Sequence, residues 1–181
     1  MQKRQIFDSR LLEITIQRLC QQLIENHEQF ENTVILGLQP RGKYLADRLK
    51  SVLETYLGKE IKLGYLDITF FRDDFRRRET PLKANATSVP FLIEDKSVVL
   101  VDDVLFTGRS VQAALSAMNA YGRPQKVELL TLVNRRYSRD LPIEPRYVGK
   151  EVNTLASERV LVEWKVQGAK EDNVWLVNKE Q

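Results

Sequence analysis

The stretch from Ser97 to Leu115, SVVLVDDVLFTGRSVQAAL, constrains this chain more than any other. Val98, Val99, Leu100 and Val101 form a run of β-branched and aliphatic residues, the pattern of a strand covered on both faces of a parallel sheet. Such a strand ends in the crevice where α/β folds bind ligands. Asp102 and Asp103 come at that end, and as acceptor-only groups they suit a pair of vicinal sugar hydroxyls, directly or through a divalent metal. Thr107, Gly108, Arg109 and Ser110 then open a helix, so that N–H groups and two hydroxyls converge where the helix dipole favours an anion. Gly108 lets the backbone come close to that anion. Paired Asp residues after a strand are by themselves often only a solvated turn with a helix cap. Diol acceptors a few residues ahead of a phosphate cradle describe a ribose 5-phosphate site, with the loop running from Val104, Leu105 and Phe106 through Thr107, Gly108, Arg109 and Ser110.

The rest of the chain alternates helix and strand. Leu12, Ile16, Leu19, Leu23 and Ile24 keep the spacing of an amphipathic helix, as do Tyr44, Leu45, Leu49, Val52, Leu53 and Tyr56. Val34 to Leu38, Ile61 to Phe70 and Lys126 to Val133 read as further strands, and Arg109 to Tyr121 as a helix ended by Gly122-Arg123-Pro124. This βαβ order predicts an α/β fold with a mostly parallel twisted sheet flanked by helices. Short strand-like pieces at Arg146 to Val148, Arg159 to Trp164 and Val174 to Val177 suggest a small appendage. The 181 residues are expected to form a single domain, 1–181, with a core at about 30–140.

Scarcity excludes several mechanisms. With one cysteine and one histidine, a zinc site or a Cys-His or Ser-His-Asp nucleophile would have to rest on His27. His27 lies in a polar stretch at a helix end and reads as a solvated surface residue, while Cys20 falls on the apolar stripe of the first helix and reads as core. No apolar run has the length of a signal core or a membrane span, so a cytoplasmic location with no membrane partner is expected.

A second strand-turn-helix, Gly37-Leu38-Gln39-Pro40-Arg41-Gly42-Lys43, satisfies most of a nucleotide-binding P-loop. It fails at the last position, because Tyr44 stands where a Ser or Thr would hold magnesium. Pro40, Arg41 and Gly42 instead suit a second anion beside the first, through N–H groups and a guanidinium.

Together, the segment after Val98 resembles the phosphoribosyl pyrophosphate (PRPP) motif of type I phosphoribosyltransferases. Arg41 to Ala46, Leu66-Asp67-Ile68-Thr69, Arg72-Asp73-Asp74, Val101 to Arg109, Leu141-Pro142-Ile143 and Val148-Gly149-Lys150 are similar to the PyrR family. That resemblance implies a type I phosphoribosyltransferase fold. Its activity would be a reaction of uracil with PRPP that depends on Mg2+ and yields UMP and pyrophosphate, in a homo-oligomer that is a dimer or a tetramer. It also implies regulation of a pyrimidine operon by binding its leader mRNA. Asp102, Asp103 and Arg72 would be catalytic, with magnesium reaching the site through PRPP and meeting Asp102 and Asp103. Pro40, Arg41 and Gly42 would hold pyrophosphate. The N-terminal segment and residues from about 141 to 181 would form a hood over the base.

Three assignments stay open in the sequence. The polar segment at about 72–89 is either a lid, with Arg76, Arg77 and Arg78 meeting the departing pyrophosphate, or simply a disordered connection. Base contacts are expected from Asn134 and from Tyr147 and Val148, the latter pair being equally readable as hood core; an asparagine both donates and accepts and does not decide the base. For RNA, Arg18, Arg135, Arg136, Arg139 and Lys150 offer basic character, although the net charge is only +3 and such clusters are usually solvated faces. A hypoxanthine/guanine-type purine enzyme and a non-catalytic RNA-binding regulator with a nucleotide effector are the alternatives.

Overall fold

The computed structural model describes residues 3–73, 84–155 and 157–178. Strand β1 (Lys3–Phe7) leads into helix α1 (Ser9–His27), whose first turn is closed by the Asp8 carboxylate accepting from the Leu11 N–H at 2.7 Å. Strand β2 (Thr33–Gln39) runs into α2 (Gly42–Leu57), which stops at Gly58 in the left-handed conformation. Next come β3 (Leu63–Asp67), β4 (Ser97–Leu105), α3 (Arg109–Met118), β5 (Lys126–Arg136), β6 (Tyr147–Asn153), β7 (Glu158–Glu163) and β8 (Asn173–Asn178).

Five strands pair in the order β3-β2-β4-β5-β6, every pair parallel. The apolar runs of β2 and β4 are central because both faces of each are covered. On one face, Leu12, Ile16 and Leu19 of α1 and Leu45 and Leu49 of α2 pack against Ile35, Val99 and Leu130. On the other, Val111, Ala114 and Met118 of α3 pack against Val34, Leu36 and Leu100. Each such aliphatic side chain contributes roughly 1.5–3 kcal/mol by leaving water. Parallel strands joined through helices bring every carboxyl end to one edge, which is where the loops after β2, β3, β4 and β5 meet.

A second, antiparallel sheet in the order β1-β8-β7 joins the two ends of the chain. It is clamped to the helices by Arg48, which donates from Nη1 to the Asp172 carboxylate and from Nη2 to Glu13 Oε2 at 2.6 Å. Ser9 Oγ adds a bond to the Asp172 carbonyl oxygen at 2.8 Å.

Four sequence expectations change. The strand foreseen over Ile61 to Phe70 ends at Asp67, because its carboxylate accepts from the Thr69 N–H (3.2 Å) and hydroxyl (2.7 Å) and turns the chain into a 3-10 turn over Thr69–Phe71. Strand β5 continues to Arg136. The piece at Arg146 to Val148 belongs to β6, the edge strand of the main sheet rather than an appendage. His27 is not solvated: its side chain is 5% exposed, with Nε2 2.8 Å from Glu128 Oε2 and Nδ1 3.1 Å from Thr33 Oγ1. Cys20 is core as expected, and burial, aided by Glu13, pushes its thiol up to about 12. Among the described residues no helix is long and apolar enough to cross a membrane.

Candidate active site

The loops at the carboxyl edge enclose a cleft of about 460 Å³, walled by Pro40 and Arg41 after β2, Thr69 and Arg72 after β3, Asp102 to Val104 of β4, Phe106 and Ser110, and by Arg135, Arg159 and Val160. Five separate stretches of sequence therefore meet in one cavity. Asp103 is 4% exposed, Asp102 is half-buried, and the Asp103 N–H donates to Asp102 Oδ1 at 3.0 Å. Burial, then the neighbouring Asp103, pushes the Asp102 carboxyl well above the usual carboxylate range, against the pull of the Asp103 N–H, Arg72 and Arg41. Burial raises Asp103 too, opposed chiefly by Arg41, whose Nε lies 3.7 Å from Asp103 Oδ2. Two crowded carboxylates in a cleft call for hydroxyl donors or a cation.

Gly108 precedes α3 at φ 91, a conformation that side chains with a Cβ resist, and a Cβ there would lie 3.3 Å from Ile143 Cδ1. Gly108 offers α3 no side-chain cap; the Arg109 N–H donates to Thr107 Oγ1 at 3.4 Å, and the next N–H groups of the first turn lack intrahelical acceptors. The loop is braced from outside: Asp140 N and Leu141 N donate to the Thr107 carbonyl oxygen at 3.0 and 3.2 Å. Arg72 Nη1 donates to Ser110 Oγ at 2.8 Å, and Arg109 pairs with Asp73 and with Asp140. Arg109 thus serves the loop's framework, and Ser110, Thr107 and the backbone form its inner surface.

Beside it, the Gln39-Pro40 peptide is cis and α2 begins with no side-chain cap at Arg41. Gly42 acts through packing: a Cβ there would come 3.0 Å from the Asp102 Cα and closer still to the Val101 carbonyl oxygen, which brings α2 against the end of β4. Lys43 Nζ sits over the Tyr65 ring, 4.9 Å from its centroid, turned away from any phosphate role.

The three residues expected to contact the base, Asn134, Tyr147 and Val148, are not among the residues walling this cleft. Tyr147 is buried at the opposite end of the sheet, its hydroxyl donating to Glu128 Oε2 at 2.9 Å and lying 3.1 Å from His27 Nε2. Tyr147 pairs with Leu130, four positions short of Asn134. Val148 and Asn134 line a separate groove with Pro142 and Ile143, and Asn134 Oδ1 accepts from Arg139 Nη2 at 2.6 Å. Arg159 and Val160 of β7 take the place over the cleft, and the run Arg159 to Trp164 contained them without a signal of direction.

The basic cluster is not one free face. Arg135 is 4% exposed, Arg139 donates to the Phe106 carbonyl oxygen and to Asn134, and Arg18 donates to the carbonyl oxygens of Val148 and Gly149. Lys150 Nζ bonds the Ile6 carbonyl oxygen at 3.5 Å, and Arg136 pairs with Glu151 while staying half exposed. Arg76, Arg77 and Arg78 lie outside the described residues. The far end of their segment is anchored: Ser88 exchanges both backbone bonds with Tyr65, and Asn85 N donates to Asp67 Oδ2 at 3.1 Å.

The donor set suits magnesium arriving on a polyphosphate. Among the described residues no group of three or more His, Cys, Asp or Glu side chains could hold a metal alone, but two adjacent carboxylates fit an ion that keeps substrate oxygens and waters as its other ligands.

Known proteins agree with this geometry. Residues 2–167 match the phosphoribosyl transferase domain family. Proteins named Bifunctional protein PyrR are 42% identical over 163 residues in Desulfosudis oleivorans, covering 90% of each chain, and 43% identical over 148 residues in Microcystis aeruginosa, covering 82% of each. The fold superposes on the HGPRT-ase from Leishmania tarentolae solved with GMP at a TM-score of 0.73 and 12% identity, over 98% of this chain and 97% of that one. It superposes on a hypoxanthine-guanine phosphoribosyltransferase from Bacillus anthracis at 0.70 and 13%, over 98% and 99%. The chain belongs to the PyrR family, within the phosphoribosyl transferase domain proteins.

Proposed function

We propose that this protein is a uracil phosphoribosyltransferase that converts uracil and PRPP to UMP and pyrophosphate, and that it regulates a pyrimidine operon through its leader RNA. The observation that carries the catalytic reading is the adjacent pair of half-buried Asp102 and buried Asp103, set at the end of β4 between two helix starts whose N-cap residues offer no side-chain cap. Asp102 and Asp103 accept from the ribose hydroxyls. Thr107, Ser110 and the α3 N–H groups hold the 5-phosphate, which fixes the sugar at both ends. Arg41 and the N–H groups opening α2 hold the pyrophosphate. As the bond at the anomeric carbon breaks, positive charge develops on the sugar and negative charge on the leaving group. The carboxylates below and Arg41 and Arg72 beside stabilise both. Magnesium bound with PRPP neutralises part of the phosphate charge. The sheet of β1, β8 and β7 closes the cleft over the base and excludes water.

The test is turnover of magnesium-PRPP with a panel of free bases. UMP from uracil is expected, and IMP or GMP from hypoxanthine or guanine would replace this reading with the purine one. For the regulatory half, leader RNA titrated with and without UMP at fixed salt should show tighter binding with UMP, and by linkage UMP should bind RNA-loaded protein more tightly by the same factor. With Arg135 buried and Arg18, Arg139 and Lys150 engaged internally, Arg136 is the member of the cluster best placed for RNA. Sedimentation should give a homo-oligomer, a dimer or a tetramer.

A further inference from the structure

Arg135 is the anomaly of the cleft. Its residue is 4% exposed, yet no carboxylate lies within ion-pair distance of its guanidinium among the described residues. Burial lowers its pKa and Glu158 pulls on it only from beyond ion-pair distance, so a buried charge without a contacting carboxylate is costly and calls for compensation. Part of it is visible. The guanidinium lies 3.9 Å from the centroid of the Phe106 ring, and Nε and Nη2 donate to Thr154 Oγ1 at 2.9 Å and to the Glu158 carbonyl oxygen at 3.0 Å. Those bonds fix the plane of the group between the phosphate loop and β7. Nη1 makes no bond among the described residues, and Arg135 is part of the wall of the cleft, with Val104 and Val160 as apolar walls beside it.

We infer that Arg135 selects the base, its remaining guanidinium edge donating to the C4 carbonyl oxygen of uracil. This rests on the uracil phosphoribosyltransferase reading and names the group that makes the choice. A guanidinium has five donors and no acceptor, so it matches a carbonyl and opposes an exocyclic amine. The C2 carbonyl is common to uracil and cytosine, but at position 4 uracil offers an acceptor, whereas the 4-amino group of cytosine presents donor to donor. Buried groups left unpaired discriminate strongly. Asn134, with Oδ1 held by Arg139 and its side chain in the other groove, is not needed for this choice.

The experiment measures affinities of UMP and CMP, and of magnesium-PRPP, by calorimetry on the full chain and on Arg135→Gln and Arg135→Lys. The unaltered protein should prefer UMP. Arg135→Gln, which can both donate and accept, should weaken UMP binding about ten- to a hundredfold, the scale of one charge-assisted hydrogen bond. It should also shrink the UMP/CMP preference by a similar factor and leave PRPP affinity within about twofold. Arg135→Lys, donor-only like arginine, should keep the preference even if both affinities fall, and it carries the test should Arg135→Gln not fold. An unchanged UMP/CMP ratio in Arg135→Gln, a lost ratio in a folded Arg135→Lys, or a loss of PRPP affinity equal to that of UMP would overturn the inference. An unaltered protein that binds neither pyrimidine nucleotide would instead defeat the uracil reading.

Discussion

Asp102 and Asp103 differ in exposure although they are neighbours, and strand alternation explains why: successive side chains leave β4 on opposite faces, so one reaches the cleft from each side of the sheet's edge. Both are needed if the ribose is held by two hydroxyls. Replacing both by Asn should reduce UMP synthesis on the order of a hundredfold or more, the scale lost with key electrostatic groups; near-normal turnover would show that the ribose is held elsewhere. Gly108 carries a different demand. At φ 91, and with Ile143 against it, Gly108→Val should abolish PRPP binding in calorimetry while circular dichroism shows the helices intact. Unchanged affinity would remove the loop from the phosphate site. Asp102, Asp103 and Gly108 stood in one legible string of sequence, because a strand, an acidic turn and a helix start are local in the chain.

Elements are placed by contacts that no local pattern announces. The antiparallel sheet packs its apolar residues against α1, and Arg48 on α2 adds a polar clamp by holding Asp172, just before β8, and Glu13 on α1. These groups are partly exposed, so Arg48→Ala should cost only about 1 kcal/mol of stability by urea titration. Its larger effect should be a raised KM for uracil with KM for PRPP little changed, since Arg159 and Val160 ride on that sheet and the phosphate loop does not. Equal changes in both constants would mean that the clamp merely stabilises the fold. The same kind of displacement explains why Tyr147 is not at the cleft. Tyr147 and Val148 are strand residues as expected, but the register of β6 against β5 sends Tyr147 to the far end, and β7 supplies the roof.

Across the molecule, the end of the sheet opposite the cleft holds a buried polar network: His27, Glu128 and Tyr147, with Lys126 and Arg146 pairing to Glu128 and Thr33 bonding His27. Burial lowers the His27 pKa below its ordinary 6.5, against the pull of Glu128. The unfolded chain then takes up a proton near 6.5 that the folded chain takes up only at lower pH. Stability from this group is therefore complete above about pH 6.5 and falls as pH drops through the window below it. Glu128 behaves alike at lower pH: burial raises its pKa, but Lys126, Tyr147, His27 and Arg146 outweigh it, the net shift is downward from 4.5, and its stability is lost as pH falls beneath that value. Urea midpoints at pH 8 and pH 5.5 should separate more in the unaltered protein than in His27→Gln. A variant with the same pH dependence would place the titration elsewhere.

The sequence by itself determined the α/β alternation, the strand-to-helix turn with Asp102, Asp103 and Gly108, and the second strand-to-helix turn at Pro40-Arg41-Gly42, because each is a contiguous pattern whose period or turn chemistry is local. Only the tertiary structure decided what faces what. His27 reads as polar surface beside Asn26 and Glu28, yet it becomes buried because Glu128, about a hundred residues later, needs a partner under the sheet. Arg135 reads as one more charge in a basic run, yet β5 extends far enough to tuck it beneath β7 and against Phe106. Side-chain direction at a strand end depends on where pairing stops and on what covers it, and both are set by residues distant in the chain.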